Sequence, residues 1–90
     1  MKVEKDITII NRLGLHARAC ANLVKAAAHY ESRVELLQGE ESADAKSIMS
    51  LMMLAAPQGS QLTLKAEGAD AQAATAEIMQ LINERFGEEE

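Results

Sequence analysis

The 90 residues are enough for one compact domain and too few for a second core. Apolar residues make up 48% and charged residues 26%, a globular balance that argues against disorder, and with aromatics at only 2% the core must be built from Leu, Ile, Val, Met and Ala. Fourteen acidic and nine basic side chains give a net charge of −5, or −2 once Glu88, Glu89 and Glu90 are set aside, so the basic footprint of a nucleic-acid binder is missing. The longest apolar stretch, Ile48 to Ala56, falls well short of the roughly 20 residues a membrane span requires. The mixed-charge N-terminus lacks an apolar signal segment, and the single cysteine, Cys20, forms no internal disulfide. These features lead to an expectation of a cytoplasmic protein.

In chain order, Val3 to Ile10 alternates Val3, Ile7 and Ile9 against Glu4, Asp6 and Thr8, the period of a strand. Asn11-Arg12-Leu13-Gly14 signals a turn. Cys20, Leu23, Val24 and Ala27 then form the stripe of a helix over Ala17 to Ala28. Val34 to Leu37 reads as a second strand, and Gly39 turns it toward a short third near Ser42 to Ala45. Ser47 opens a short apolar helix that runs to about Leu54 and is broken by Pro57-Gln58-Gly59-Ser60. Leu62, Leu64 and Ala66 mark the last strand. Asp70 is the expected N-cap of a final helix with Ala74, Ile78, Leu81 and Ile82 inward, ending near Gly87. The order β-α-β-β-α-β-α predicts an α+β open-faced sandwich: one four-stranded sheet, antiparallel or mixed, covered on one face by three helices. Residues 1–87 form the domain, and Glu88 to Glu90 a solvated, frayed acidic tail.

The chemistry concentrates in Asn11-Arg12-Leu13-Gly14-Leu15-His16-Ala17-Arg18-Ala19. A histidine here stands where a helix begins, beside backbone amides without intrahelical acceptors and at the positive end of the helix dipole. That is an anion site, and Arg18 adds a guanidinium suited to phosphate oxygens. A phosphoryl group on Nδ1 of His16 could reach the amides of Ala17 and Arg18, whereas one on Nε2 would project away from them. An exposed histidine at a helix start is also commonly just a solvated side chain.

Asn11 to Arg18, together with Lys46-Ser47-Ile48-Met49-Ser50-Leu51-Met52, resembles HPr, the histidine-containing phosphocarrier family of the bacterial phosphoenolpyruvate-dependent phosphotransferase system. The resemblance spans essentially the whole chain and implies an antiparallel sheet. It implies that His16 accepts a phosphoryl group from enzyme I and passes it to EIIA-type acceptors for sugar uptake and regulation. Arg18 would stabilise the phosphate, the chain being a covalent carrier without substrate turnover of its own and without a cofactor or metal. One position departs from the pattern: family members usually have proline after the arginine, where this chain has Ala19. Alanine restores a free amide and removes the rigidity that proline gives a first helical turn.

Ser47 is expected to cap the second helix. The resemblance adds a regulatory role, phosphorylation of Ser47 by an HPr kinase/phosphorylase. Ile48, Met49, Leu51, Met52, Met53 and Leu54 are too apolar for one short helix to hide. By resemblance, Ile48, Met49 and Met52 join Ala21 and Val24 in docking partners, with Lys25 and Lys46 supplying positive charge at the rim. The second functional reading is a regulatory interaction protein of a nitrogen-related branch, or one acting through phosphorylated Ser47, with little part in sugar transport. A Cys20–His16 metal or redox pair is a third and weaker reading. Cys20 is expected in the core, and His29, near the end of the first helix, in a structural role.

Overall fold

The computed structural model describes all 90 residues. Its elements are β1 (Lys2–Thr8), α1 (Ala17–Ala28), β2 (Arg33–Gln38), β3 (Glu41–Asp44), α2 (Ile48–Leu54), β4 (Gln61–Glu67) and α3 (Ala71–Asn83). The four strands form one sheet in the order β1-β4-β2-β3, and every neighbouring pair is antiparallel. The element order and layers agree with the sequence expectation. The strand order follows from the connections: β2 and β3 form a hairpin, whereas helical connections place β4 centrally between β1 and β2.

Alternation within the strands divides the sheet into two unlike faces. Ile7, Val34, Leu36, Ala43, Leu62, Leu64 and Ala66 are buried on the helix side. On the open side Lys65 stands opposite Glu4 and Glu35, and Glu67 opposite Lys2 and Arg33. These cross-strand charges keep the uncovered face in water. α3 packs on β1 and β4, α2 on β3, and α1 against both α2 and α3. Small side chains allow this close approach: Ala19, Ala26, Ala27, Ala71 and Ala74 are all buried, with Leu23, Leu51, Ile78 and Ile82 filling the centre. No helix is long and apolar enough to cross a membrane.

Two sequence expectations are corrected. Asp70 occupies the N-cap position of α3 but makes no capping hydrogen bond. Its carboxylate instead accepts the amides of Glu31 and Ser32, each at 2.9 Å, and the Ser32 hydroxyl. It thereby ties the β4–α3 turn to the α1–β2 loop, and Gly68 permits the approach, since a Cβ there would lie 2.5 Å from Ser32 Oγ. The second correction concerns the C-terminus. The helix stops at Asn83, and Arg85, Phe86 and Gly87 follow with positive φ of 56°, 54° and 82°. This left-handed turn buries Phe86 and redirects the chain toward the β1–α1 loop.

The Asp70 staple predicts a pH-dependent stability. The Ser32 hydroxyl and then the Glu31 amide hold the Asp70 carboxyl below the ordinary aspartate range, against an opposing push from burial. A depressed native value stabilises the fold above the unfolded pKa of about 3.9, and this contribution disappears as pH falls through the native value. Asp70→Asn is therefore expected to be less stable than the parent in urea unfolding at pH 7, the gap closing as both are acidified toward pH 3. An undiminished gap at acid pH contradicts the assignment.

Candidate functional site

The loop between β1 and α1 is pinned from below. The Gly14 backbone lies so close to the end of α2 that a Cβ would meet Ala56 O at 2.6 Å and Pro57 Cα at 2.9 Å, and its φ is +67°. Leu15 N donates to Ala56 O at 2.8 Å, and His16 N to Gly14 O at 2.9 Å. The loop thus delivers His16 to the N-cap of α1 in an extended conformation, φ −81° and ψ 178°. Its carbonyl accepts Cys20 N, the first helical bond.

The two ring nitrogens of His16 have separate partners. Nδ1 faces the helix and accepts the amide of Arg18 at 3.3 Å. The amides of Ala17 and Ala19 find no acceptor in the chain, as the first turn of a helix leads one to expect. Nε2 hydrogen-bonds the Glu88 carboxylate at Oε2. The His16 side chain keeps 28% of its exposure and that of Glu88 only 18%. Beside them Arg12, Leu13, Arg18, Glu88, Glu89 and Glu90 line an open depression of about 480 Å³. Arg18 is exposed along its rim, within electrostatic reach of Glu88.

The acidic tail is not frayed. Glu88 is half-buried and its Oε1 accepts Asn11 Nδ2 at 3.0 Å, while Glu90 pairs with Arg12 at 2.9 Å. Burial pushes the Glu88 carboxyl up, but hydrogen bonds from His16 and Asn11, with the charges of His16 and Arg18, outweigh it and hold the group below the ordinary glutamate range. Asn11 is fully buried and also donates to Gly14 O at 2.8 Å, so one amide braces both the turn and the tail. Sequence reasoning missed Glu88 because nothing local marks it. The only hint was an asparagine, a residue costly to bury without partners, at the head of the histidine motif.

Ser47 caps α2 as expected, its hydroxyl accepting Ser50 N at 3.2 Å. Leu51 and Leu54 turn into the core, whereas Ile48, Met49, Met52 and Met53 keep 41%, 73%, 45% and 79% of their exposure. Ala21 and Val24 are half-buried on α1, with Lys25 exposed beside them. α1 packs directly against α2, so these side chains belong to adjoining helices. Lys46 donates to Tyr30 O at 2.7 Å. Cys20 is buried, its thiol donating to Leu15 O at 3.4 Å, and burial raises its pKa, the opposite of what a thiolate nucleophile needs. His29 pairs with Glu77 at 3.1 Å, remote from His16 along α1.

The arrangement can hold an anionic group bonded to Nδ1 against the first turn of α1 while Nε2 stays engaged. Known proteins resemble the chain over nearly its whole length. A family model described as the PTS HPr component phosphorylation site matches residues 3–84. The chain is 49% identical over 88 residues to phosphocarrier protein HPr of Cupriavidus necator, covering 98% of this chain and 99% of that one. Against phosphocarrier protein NPr of Shewanella violacea the identity is 40% over 87 residues, covering 97% and 96%. The crystal structure of HPr from Thermoanaerobacter tengcongensis superposes with a TM-score of 0.94 at 39% identity, covering 98% of this chain and 99% of that chain. A matching fold, a matching motif and relatives aligned from end to end make this chain a member of the HPr family, the phosphocarrier proteins of the phosphotransferase system.

Proposed function

We propose that His16 is the phosphoryl acceptor, that the group resides on Nδ1, and that the chain receives it from enzyme I and gives it to EIIA-type acceptors. The observation that carries this reading is the orientation of the imidazole: Nδ1 is turned onto the first amides of α1 and Nε2 is already occupied. A phosphoryl group on Nδ1 lies within reach of the amide donors of Ala17 and Arg18 and of the dipole of α1, while the Arg18 guanidinium offers a planar, charge-assisted contact. Phosphoryl transfer asks the protein for positioning and charge stabilisation, which these groups supply.

The apolar stretch of α2 with its methionines, next to Ala21, Val24 and Lys25 of α1, suits docking of structurally different partners, because thioether side chains repack cheaply. Ser47 stands at the edge of this surface. A phosphate there adds about −1.5 to −2 charges at the start of α2, which the helix dipole tolerates and an acidic partner does not. This is how an HPr kinase/phosphorylase would act on the chain. A regulatory reading draws on Ala19, the departure from the family pattern: it is buried, and its amide has no acceptor in the chain. Partners recovered with the protein from its host, enzyme I and EIIA-type proteins or others, separate the two.

Incubation with enzyme I and phosphoenolpyruvate is expected to yield an acid-labile, base-stable adduct that His16→Ala abolishes. An adduct of undiminished yield in that variant overturns the proposal. Arg18→Ala is expected to retain the site but slow the transfer roughly ten- to a hundredfold, in line with a charged hydrogen bond worth about 1.5–3 kcal/mol. Ser47→Asp is expected to leave the fold intact by circular dichroism and to slow transfer by weakening encounter with the partner, read as a raised KM for enzyme I.

A further inference from the structure

The Glu88 contact has a chemical meaning that follows from donor and acceptor arithmetic. A backbone amide can only donate, so Nδ1, which accepts from Arg18 N, must carry its lone pair. The proton of the neutral ring then sits on Nε2, where it faces the Glu88 carboxylate, an acceptor. Two independent features aim that carboxylate. Asn11, buried and fixed by its bond to Gly14 O, donates to the other oxygen of Glu88. The left-handed turn at Arg85 to Gly87, anchored by buried Phe86 and by Asn22 Nδ2 donating to Phe86 O at 3.4 Å, brings the tail back across the molecule. Positive φ at two consecutive non-glycine residues costs free energy that a free tail would avoid.

We infer that Glu88 is a positioning residue for phosphoryl transfer: it keeps the proton on Nε2, so that Nδ1 presents its lone pair, and it offsets the positive charge the ring gains when phosphorus is attached. The inference rests on His16 being the acceptor. In the forward step the Nδ1 lone pair forms the N–P bond, and the bond from phosphorus to the donor breaks with its electron pair leaving on the donor. The ring becomes cationic, with its Nε2 proton retained against the Glu88 carboxylate. In the onward step the N–P bond breaks, its electron pair returns to Nδ1, and the leaving group is the neutral Nε2–H imidazole. No external acid or base is consumed. Loss of the Nε2 proton would make the leaving group an imidazolate and trap the cargo, so a carboxylate at Nε2 keeps the adduct transferable. This logic matches a carboxylate–imidazole pair in catalysis, where the acid orients the ring and stabilises its cation without itself taking the proton.

The other charges around the ring are Arg12 from the loop, Arg18 from α1, and Glu89 and Glu90 from the tail. Glu90 is engaged by Arg12, and Glu89 makes no side-chain hydrogen bond. Glu89→Gln therefore removes a unit of negative charge nearby without touching His16, and serves as the control.

The test compares the full-length parent with Glu88→Gln, Glu88→Ala and Glu89→Gln, each checked for an unchanged fold by circular dichroism. Each is phosphorylated with enzyme I and phosphoenolpyruvate, and loss of the phosphoryl group is followed by phosphorus NMR across pH. The Glu88 variants are expected to shift the midpoint of this profile toward acid by roughly one unit, the scale of losing an adjacent opposite charge. In the unphosphorylated protein the Nε2–H proton resonance of His16 is expected in the parent and lost by exchange in Glu88→Ala. Superimposable profiles and an unchanged Nε2–H signal in the Glu88 variants overturn the inference. An equal shift in Glu89→Gln also overturns it, because the effect is then general charge rather than contact. An adduct persisting in His16→Ala defeats the proposed function instead, which the Glu88 comparison alone does not.

Discussion

The placement of His16 depends on one steric constraint, the contact between the backbone of Gly14 and the segment that leaves α2. With a Cβ excluded and φ at +67°, the β1–α1 loop can descend onto Ala56 and Pro57 and accept only one exit direction. Leu15 N to Ala56 O locks that exit, and the next residue is then the N-cap of α1. A histidine one position earlier would lie in the buried loop, and one position later would be inside the helix with its backbone committed. At the cap its side chain can curl back over the free amides, which is where an anion gains most from the helix end.

The stabilisation available there is moderate, and moderation suits a carrier. Helix-terminal effects amount to about 0.3–1 kcal/mol when exposed and up to about 2 kcal/mol when partly buried. A deep, closed phosphate cage would make the first transfer favourable and the second slow, because the group must be surrendered at a comparable free energy. Here the ring is partly exposed, Arg18 is on the surface, and the depression beside it is open. The site therefore resembles a ledge, open on the side where Arg18 lies.

Much of this was legible from short-range signals. The i, i+3, i+4 spacing of Cys20, Leu23, Val24 and Ala27 defined α1, and Ser47 before an apolar run defined the cap of α2; both stand where expected. The placement of His16 at the cap of α1 and of Arg18 in its first turn was readable because helix starts impose local chemistry. What escaped was long-range. Asp70 satisfies every local rule for a cap, yet two amides and a hydroxyl from the α1–β2 loop compete for its carboxylate and win. Glu88 sits in a run of three identical acids, and composition alone makes such a run a solvated tail. Its partner is 72 residues away, reached through a left-handed turn at non-glycine residues that no propensity scale favours. The hydrophobic anchor was visible as Phe86, one of only two aromatics in the chain, but its consequence was not.

The geometry also bears on how one small surface can serve two partners in succession. The loop carrying His16 is bonded to the residues that terminate α2, where Ala55 adopts the left-handed conformation with φ 49° and Ala56 supplies its carbonyl to Leu15. α2 in turn presents Ile48, Met49 and Met52 to solvent. The His16 imidazole and the apolar patch are thus parts of one backbone unit, held by hydrogen bonds and by close packing on Gly14. Under the carrier reading, a partner that seats on the patch has the position of Nδ1 defined for it, with little backbone rearrangement to slow either transfer. Adaptation to different partners is left to the methionine side chains, which can change rotamer without moving the loop. Rigidity in the backbone and softness in the side chains are thereby divided between neighbouring segments, and under the proposed function this division is what would let a single imidazole meet both its donor and its acceptor.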